Sequence, residues 1–201
     1  MLKKYKYVYI GSFLIVASFI LYVIDFLYKD YNHKQELEGL NNYYIKEINQ
    51  IKNKSNELVE LQTTEKIKEK YQYIAVLKIP KINLEKGLVD INSKYNNVKY
   101  NIEIIKGSSM PNIDKGNLIL ASHSGNSKIS YFKNLNKLKI NDDVIIKYQG
   151  NDYIYKVKNI YEIEKTGKAS ILKNNEKKTL TLITCKHNTN KQIVIICELN
   201  D

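Results

Sequence analysis

An uncharged run of 18 residues near the N-terminus, from Tyr7 to Ile24, constrains this chain more than any other feature. Three lysines precede the run, and Asp25 and Lys29 follow it. The hydrocarbon core of a bilayer needs about 20 largely apolar residues in a helix, with about 17 as the lower limit, so this run can span it. Lysines on the N-terminal side predict that this end stays in the cytoplasm and that the rest of the chain lies outside.

A cleaved signal peptide is the main alternative to an uncleaved anchor. Its apolar core would be unusually long, and the small residues Ala17 and Ser18 are followed by Phe19 and Ile20 instead of a polar mature start. A buried core helix is disfavoured because the run has no polar face. We therefore expect residues 1–29 to form a cytoplasmic tip and a transmembrane anchor.

The next segment, residues 30–70, is rich in Glu, Lys, Asn and Gln and contains no proline. Its isoleucine and leucine residues recur at spacings near three or four, which is typical of a helix. We expect a polar, helical stalk that separates the membrane from a folded head, residues 71–201. His33 lies in this polar setting and is expected to be solvated.

Charge and composition narrow the classes of partner. The formal net charge is +11, and every cationic side chain apart from histidine is a lysine. A basic surface favours polyanions such as anionic lipid headgroups, wall polymers or nucleic acid. The chain has no arginine that could read guanine and no recognition-helix, zinc-finger or RNA-binding pattern, so we expect no nucleic-acid partner.

The head has the pattern of short strands with little helix, which favours an all-β fold, a closed barrel or a sandwich. One segment alternates clearly: Tyr153, Tyr155, Val157 and Tyr161 are predicted to share one face, with charged residues on the other. The predicted strands are Tyr73–Ile79, Leu84–Ile91, Asn117–Ser122, Asp152–Glu162, Thr179–Cys185 and Gln192–Leu199.

His123 and Cys185 are the candidate catalytic residues. His123 follows an apolar strand and is flanked by small residues, where loops expose side chains on a rigid scaffold. Cys185 closes a strand, on the face of Ile183 and opposite Leu182. A thiol near an imidazole can exist as a thiolate and attack a carbonyl. Taken alone, a single cysteine is more often a small buried hydrophobe, so core packing remains the alternative.

Two motifs together resemble those of the sortase family. The segment Thr181–Cys185 reads Thr-Leu-Ile-Thr-Cys and is similar to the TLxTC nucleophile strand of sortases. The segment Leu120–His123 is similar to the strand that delivers their histidine, 62 residues before the cysteine. The resemblance covers Tyr73–Leu199. It implies a closed eight-stranded sortase-type β-barrel with short helices, a cysteine transpeptidase or hydrolase activity, and no cofactor.

The implied reaction is cleavage of a C-terminal sorting signal resembling Leu-Pro-x-Thr-Gly. Cys185 would be the nucleophile and His123 the acid and base. The acyl product would pass to an amine of a peptidoglycan precursor or to a pilin lysine. The implied partners are therefore secreted proteins that bear the signal and a cell-wall amine, with the enzyme held in the cell membrane by a single pass and its catalytic domain extracellular. We also expect Thr184, Ile183 and Ser122 to contact the substrate.

The sortase class stays open. Pilus-polymerising classes often carry a lid with an Asp-Pro-aromatic motif ahead of the barrel. The segment Ser55–Tyr71 contains no proline, which argues against those classes.

The sequence departs from the sortase pattern at one position. Sortases place an arginine on the strand after the cysteine, and here Gln192 stands there, with Lys191 beside it. Glutamine donates hydrogen bonds without charge, and lysine lacks the planar fork of arginine. We expect Gln192 to support the oxyanion, or Lys191 if the strand begins one residue later. Losing one oxyanion donor costs about 10²–10³ in rate, so a weak or dead sortase-fold protein that binds sorting signals or wall polymer is the alternative.

The remaining histidine and cysteine have ordinary interpretations. His187 could replace His123 as the partner of Cys185, but its polar neighbours predict a solvated loop residue. Cys197 shares a face with apolar residues and is expected in the core. A disulfide between Cys185 and Cys197 would silence the nucleophile.

We expect no metal ion. His123, Cys185 and His187 lack a fourth ligand for zinc. Two acidic pairs could hold calcium, as in some sortases, but solvated turn and strand faces are the expected interpretation of Asp142 with Asp143 and of Glu162 with Glu164.

Overall fold

The computed structural model describes residues 2–55, 71–166, 169 and 171–200. The chain divides into two compact units, Met1–Glu38 and Gly39–Asp201. This division falls within the predicted stalk, residues 30–70, and residues 56–70 of that stalk lie outside the described residues. Residues 39–55 therefore belong to the same unit as the strands.

A single helix, α1, runs from Leu2 to Ser55. Within it, Ile10–Asn49 is the one segment of the described residues that is long and apolar enough to cross a membrane. Phe13 and Ile15 are each 71% exposed. A helix that is apolar all round and uncovered by protein suits a lipid environment better than a core. This helix is consistent with the predicted single-pass anchor, and its orientation stays a prediction.

The head forms eight strands in one sheet, with short 3₁₀ turns at Pro80–Ile82 and Leu135–Lys137. Six of the strands agree with the predicted ones to within two residues at each end. The third and fifth strands were not predicted from the sequence. In chain order the strands are β1 Tyr73–Ile79, β2 Leu84–Val89, β3 Glu103–Ile104, β4 Asn117–Ala121, β5 Asp143–Tyr148, β6 Asn151–Glu164, β7 Thr179–Cys185 and β8 Lys191–Leu199.

The strands follow the order β2-β1-β5-β6-β8-β7-β4-β3 across the sheet. All neighbouring pairs are antiparallel except β4 and β7, which are parallel. The edge strands β2 and β3 lie close together. Just before β3, the side-chain amide of Asn101 donates a hydrogen bond of 3.1 Å to the Gly87 carbonyl of β2. The sheet therefore curls into a nearly closed barrel, which confirms the predicted eight-stranded all-β fold.

The barrel interior is filled by apolar side chains from facing strands. These side chains alternate with outward-facing ones along each strand, as the pleat of a β-strand requires. The fully buried members of this core include Leu77, Leu88, Leu120, Ile146, Val157, Leu182 and Ile195.

A β-bulge interrupts the pairing of β6 with β8 between Val157 and Asn159. Two residues of β6 oppose one of β8 there, so side chains beyond the bulge change face. Tyr155 and Val157 pack in the barrel core, whereas Tyr161 packs in a cluster on the outside of the barrel. The prediction that Tyr161 shares a face with Tyr153 and its neighbours is therefore wrong, because strict alternation does not foresee an inserted residue.

Residues 39–47 of α1 pack on the barrel within the second unit. The Tyr43 hydroxyl lies 3.1 Å from the Lys147 carbonyl, and the Tyr44 hydroxyl donates to Glu85 at 2.6 Å. These contacts join the helix to two different strands. This part of the predicted stalk is thus in contact with the head.

The ring of Tyr73 fits between two glycines. A methyl group added at Gly87 would lie 2.3–2.5 Å from ring carbons of Tyr73, and one added at Gly39 would lie 2.9 Å from its Cε2. Glycine is needed at both positions because no side chain fits so close to the ring. Tyr71 stacks on Tyr73 with 5.8 Å between ring centroids, which extends this contact between helix and barrel.

Candidate active site

The parallel pairing of β4 with β7 brings the chain to His123 and to Cys185 at the same edge of the sheet. The register runs from Asn117 opposite Thr179 to Ala121 opposite Ile183, a constant offset of 62 residues. The same offset separates His123 from Cys185. Both residues therefore come at the carboxyl ends of neighbouring strands, where side chains on following loops can converge.

Two hydrogen bonds continue this pairing beyond the end of β4. The Ser122 N–H donates to the Ile183 carbonyl at 3.3 Å. The Thr184 hydroxyl donates to the Ser122 carbonyl at 2.7 Å, and both side chains are buried. These bonds hold the residue before His123 against the residue before Cys185.

Cys185 lies on the outer face of the barrel. Leu180 and Leu182 point into the core, so Ile183 and Cys185 take the opposite face, as the alternation of β7 predicts. Cys185 is a half-buried free thiol, and His123 is exposed. The arrangement leaves the thiol accessible at the edge of the barrel.

Cys197 has the opposite environment. Its side chain is fully buried in the barrel core opposite Leu180, which confirms the predicted core packing. Burial raises the pKa of the Cys197 thiol far above its usual range, because a thiolate would be desolvated there. Both cysteines are free thiols, so the structure contains no bond between them.

The pairing of β7 with β8 shows which of Gln192 and Lys191 lies on the same face of the sheet as Cys185. Gln192 lies directly opposite Cys185 in the register, and paired residues of antiparallel strands share a face. Lys191 begins the strand, and its ammonium group lies 3.8 Å from Glu162. Of the two candidates, Gln192 is therefore the one on the face of the thiol.

Glu162 is neutralised by lysines that flank the candidate site. It accepts a hydrogen bond of 2.5 Å from Lys186, the residue after Cys185, and this bond holds the pKa of Glu162 below its usual value. Two other carboxylates that were considered for calcium, those of Asp142 and Asp143, also form ion pairs with lysines. Lys81 lies 3.8 Å from Asp142 and Lys156 lies 2.6 Å from Asp143.

The predicted substrate contacts fall into two groups. Thr184 and Ser122 are 3% and 5% exposed and join two strands, so their side chains are not part of the outer surface. Ile183 belongs to the outer face that carries Cys185. His187 is exposed in the turn between β7 and β8.

The sequence analysis missed an apolar cluster on the outer face, beside Cys185. Its signal was the unbroken run Ile193–Ile196, because a strand buried on both faces reads as continuous apolar sequence. The Leu172 N–H donates to the Tyr161 hydroxyl at 2.8 Å and so fixes part of the loop between β6 and β7 at this cluster. The members of the cluster are Ile183, Val194 and Ile196, with Ile119, Ala121, Tyr161, Ile163 and Ile171 packed against them.

Comparisons with known proteins agree with this geometry. The sortase domain family model matches residues 77–200. Sortase A from Corynebacterium diphtheriae, as a lid mutant, superimposes with a TM-score of 0.57 at 22% identity, over 64% of this chain and 70% of that one.

Sortase C1 from Streptococcus agalactiae gives a TM-score of 0.56 at 24% identity, over 64% and 68% of the two chains. A Clostridium perfringens sortase D5 transpeptidase gives 0.58 at 19% identity and covers 85% of this chain and 98% of its own. The curated protein sequences contain no match. At these identities the structural likeness establishes the fold.

Proposed function

Because the sortase domain model matches residues 77–200 of this 201-residue chain, the chain belongs to the sortase family, and we propose that it is a cysteine transpeptidase acting on a C-terminal sorting signal. The substrate would resemble Leu-Pro-x-Thr-Gly, and the acceptor would be a cell-wall amine on a peptidoglycan precursor or a pilin. The observation that supports this proposal is the parallel register of β4 with β7, which brings the chain to His123 and to Cys185 at the same edge of the sheet.

The reaction uses residues at the carboxyl ends of β4 and β7 and at the amino end of the neighbouring strand β8. The Cys185 thiolate attacks the scissile carbonyl, and His123 gives a proton to the leaving amine, so that a thioacyl enzyme forms. An acceptor amine then loses a proton to His123 and attacks the thioester, and the carbon–sulfur bond breaks. Gln192 donates an amide N–H to the oxyanion of each tetrahedral intermediate.

The outer apolar cluster supports binding of the apolar part of such a signal. It lies on the strand faces that lead to Cys185, with Ile183 two residues before the thiol. An extended peptide along this face would cover the partly exposed members Ile119, Ala121 and Ile163 and bring its carbonyl to the sulfur. Helix α1 would hold the enzyme at the membrane with its head outside, where sorting signals emerge.

The proposal is tested by comparing the two cysteines. Cys185→Ala should abolish cleavage of a quenched sorting-signal peptide and abolish adduct formation with a vinyl sulfone of the same sequence. Cys197→Ala is the matched control and should keep both activities, because its thiol is buried in the core. At a pH near 8.5, where an ordinary thiol is about half ionised, iodoacetamide should label Cys185 and spare Cys197. Retention of cleavage by Cys185→Ala would overturn the proposal.

A catalytically dead binder is the second candidate, and the glutamine opposite Cys185 is the observation that favours it. A pure binder would hold the vinyl sulfone peptide without forming an adduct on Cys185. A hydrolase would form the adduct but give the same product with and without an amine acceptor. Mass spectrometry of the enzyme and of the product therefore separates the three activities.

A further inference from the structure

The positive charge of the head is concentrated in two segments of the sequence. The head contains 21 lysines and 12 acidic residues. Residues 115–141 and 177–197 hold nine of those lysines and no acidic residue, which leaves 12 lysines and 12 acidic residues in the remainder. His123 lies in the first segment and Cys185 in the second. The whole net charge of the head therefore comes from the two segments that carry the reacting pair.

Carboxylates from elsewhere in the chain neutralise several of these nine lysines. The second segment is the more fully paired, since three of its four lysines reach an acidic residue. The ion pairs are Lys115 with Glu176 at 2.6 Å, Lys177 with Glu198 at 4.0 Å, Lys186 with Glu162 at 2.5 Å and Lys191 with Glu162 at 3.8 Å.

The first segment keeps its charge in residues 124–139, the lysine loop, which follows His123 directly. All four of its lysines are exposed, and among the described residues no carboxylate lies within 4.0 Å of their ammonium groups, although the Asp142 carboxylate accepts a hydrogen bond of 2.7 Å from the backbone N–H of Lys139. The next acidic residue along the chain, Asp142, pairs with Lys81 instead. The four lysines are Lys128, Lys133, Lys137 and Lys139.

The lysine loop is held in a defined conformation beside His123. The Phe132 N–H donates to the His123 carbonyl at 3.1 Å, which folds the loop back onto the histidine. Phe132, Leu135 and Leu138 are buried in the barrel core and anchor the loop at intervals of three residues. The lysines therefore project from a fixed turn and concentrate positive potential next to the proposed acid and base.

The position of the loop relates it to the acceptor and not to the sorting signal. The outer apolar cluster includes Ile119 and Ala121, which precede His123 on β4, whereas the lysine loop begins after His123. An apolar signal peptide suits the first side. The incoming amine must reach His123 to lose its proton, and the lysine loop is the part of the chain that continues from that residue.

We propose that the lysine loop docks a phosphate-bearing amine acceptor, an inference that rests on the transpeptidase function proposed above. Lysine ammonium groups bind phosphate as point charges, and a phosphate monoester carries about −1.5 to −2 charges at neutral pH. The docked molecule presents its amine to the thioester on Cys185. The amine nitrogen forms the new amide bond, its proton passes to His123, and the sulfur leaves as the thiolate.

Acceptors of matched length test the charge requirement. Each of three acceptors carries a different group two carbons from its amine. That group is an uncharged hydroxyl in ethanolamine, a carboxylate in β-alanine and a phosphate in O-phosphoethanolamine. For the full-length enzyme in zwitterionic detergent, we measure acceptor kcat/KM with a fixed donor peptide. The variant Lys128→Gln/Lys133→Gln/Lys137→Gln should lose about tenfold on O-phosphoethanolamine, the size of a modest steering effect, and little on ethanolamine. The wild-type preference should shrink between about 0.01 M and about 0.15 M salt, as screening increases.

The control variant Lys99→Gln/Lys106→Gln/Lys158→Gln removes the same charge outside the two acid-free segments and should leave all three acceptors unchanged. Equal losses from the two triple variants would overturn the proposal, because net charge alone would then explain the effect. A loss as large for β-alanine as for O-phosphoethanolamine would also overturn it, since the loop would then select carboxylates.

Hydrolysis of the donor peptide without acceptor is recorded for every variant. If the wild-type enzyme forms no amide between the donor peptide and any of the three acceptors, the transpeptidase function itself is refuted. In that case titration of the ¹⁵N-labelled full-length chain with O-phosphoethanolamine decides the docking surface. Amide shifts concentrated in residues 124–139 and absent from the loop variant support it, and shifts spread evenly over the chain overturn it.

Discussion

The hydrogen bond from Thr184 to the Ser122 carbonyl should govern both stability and catalysis. Thr184→Val keeps the shape of the side chain and removes the donor. The bond is 2.7 Å long, Thr184 is 3% exposed, and the Ser122 carbonyl loses a buried partner. A buried acceptor left unpaired costs about 1–3 kcal/mol. For a unit of this size the melting temperature should fall by about 2–4 °C for each kcal/mol.

The same substitution should lower activity by more than its effect on stability implies. The bond lies one residue before both His123 and Cys185, at the point where the backbone pairing of β4 and β7 ends. A misplacement of about 1 Å at reacting groups can cost about 10²-fold in rate. We expect kcat/KM for peptide cleavage to drop at least about tenfold, and Thr184→Ser, which keeps the hydroxyl, to restore most of it.

Thr181→Val provides a matched control in the same strand. Thr181 is fully buried and donates to the Asn117 side chain at 3.0 Å, again linking β7 to β4, but four residues before Cys185. The Asn117 oxygen keeps its bond from Thr179, so the stability cost should lie near the lower end of the range. Urea denaturation and steady-state kinetics are measured on both variants. If the two lose activity in equal proportion to stability, Thr184 has no positioning role.

Five further substitutions test other parts of the site and fold. Gln192→Ala should lower kcat/KM and Gln192→Arg should raise it, whereas Lys191→Ala should change little; a reversed ranking of the two alanine variants would assign the oxyanion to lysine. Gly87→Ala should destabilise the barrel by about 1–3 kcal/mol in urea because its methyl overlaps the Tyr73 ring, and an unchanged midpoint would contradict that packing. Tyr161→Phe removes the acceptor of the loop N–H at 2.8 Å and should raise KM for the peptide with little change in kcat; a loss confined to kcat would refute this role.

The sequence predicted the elements that rest on local pattern. Six strands and the long N-terminal helix follow from apolar periodicity, and the positions of His123 and Cys185 at strand ends were readable as well. Their proximity was predicted through the family resemblance, because spacing along a chain does not show which strands pair. The structure supplies that pairing as a parallel register with a constant offset.

Features that depend on contacts distant in sequence were not predictable. The bulge at Val157 moves Tyr161 to the outer face, and no residue type in β6 predicts a bulge at this position. The packing of residues 39–47 on the barrel depends on Tyr73 fitting between two glycines that lie far apart in the chain. The choice between Gln192 and Lys191 needed the strand register, since neighbouring residues point to opposite faces.

The parallel pairing of β4 with β7 also sets the order in which the molecule can become reactive. The chain is synthesised from its N-terminus, and β4 has only β3 and β7 as neighbours in the sheet. Until β7 is made, one edge of β4 lacks the strand that it pairs with in the finished sheet, and an unpaired strand edge is open to aggregation. β7 and β8 close the sheet, and Cys185, the proposed nucleophile, is the last residue of β7. The thiol is therefore synthesised with the segment that completes the barrel, and a chain truncated before that segment lacks both Cys185 and two strands of the sheet.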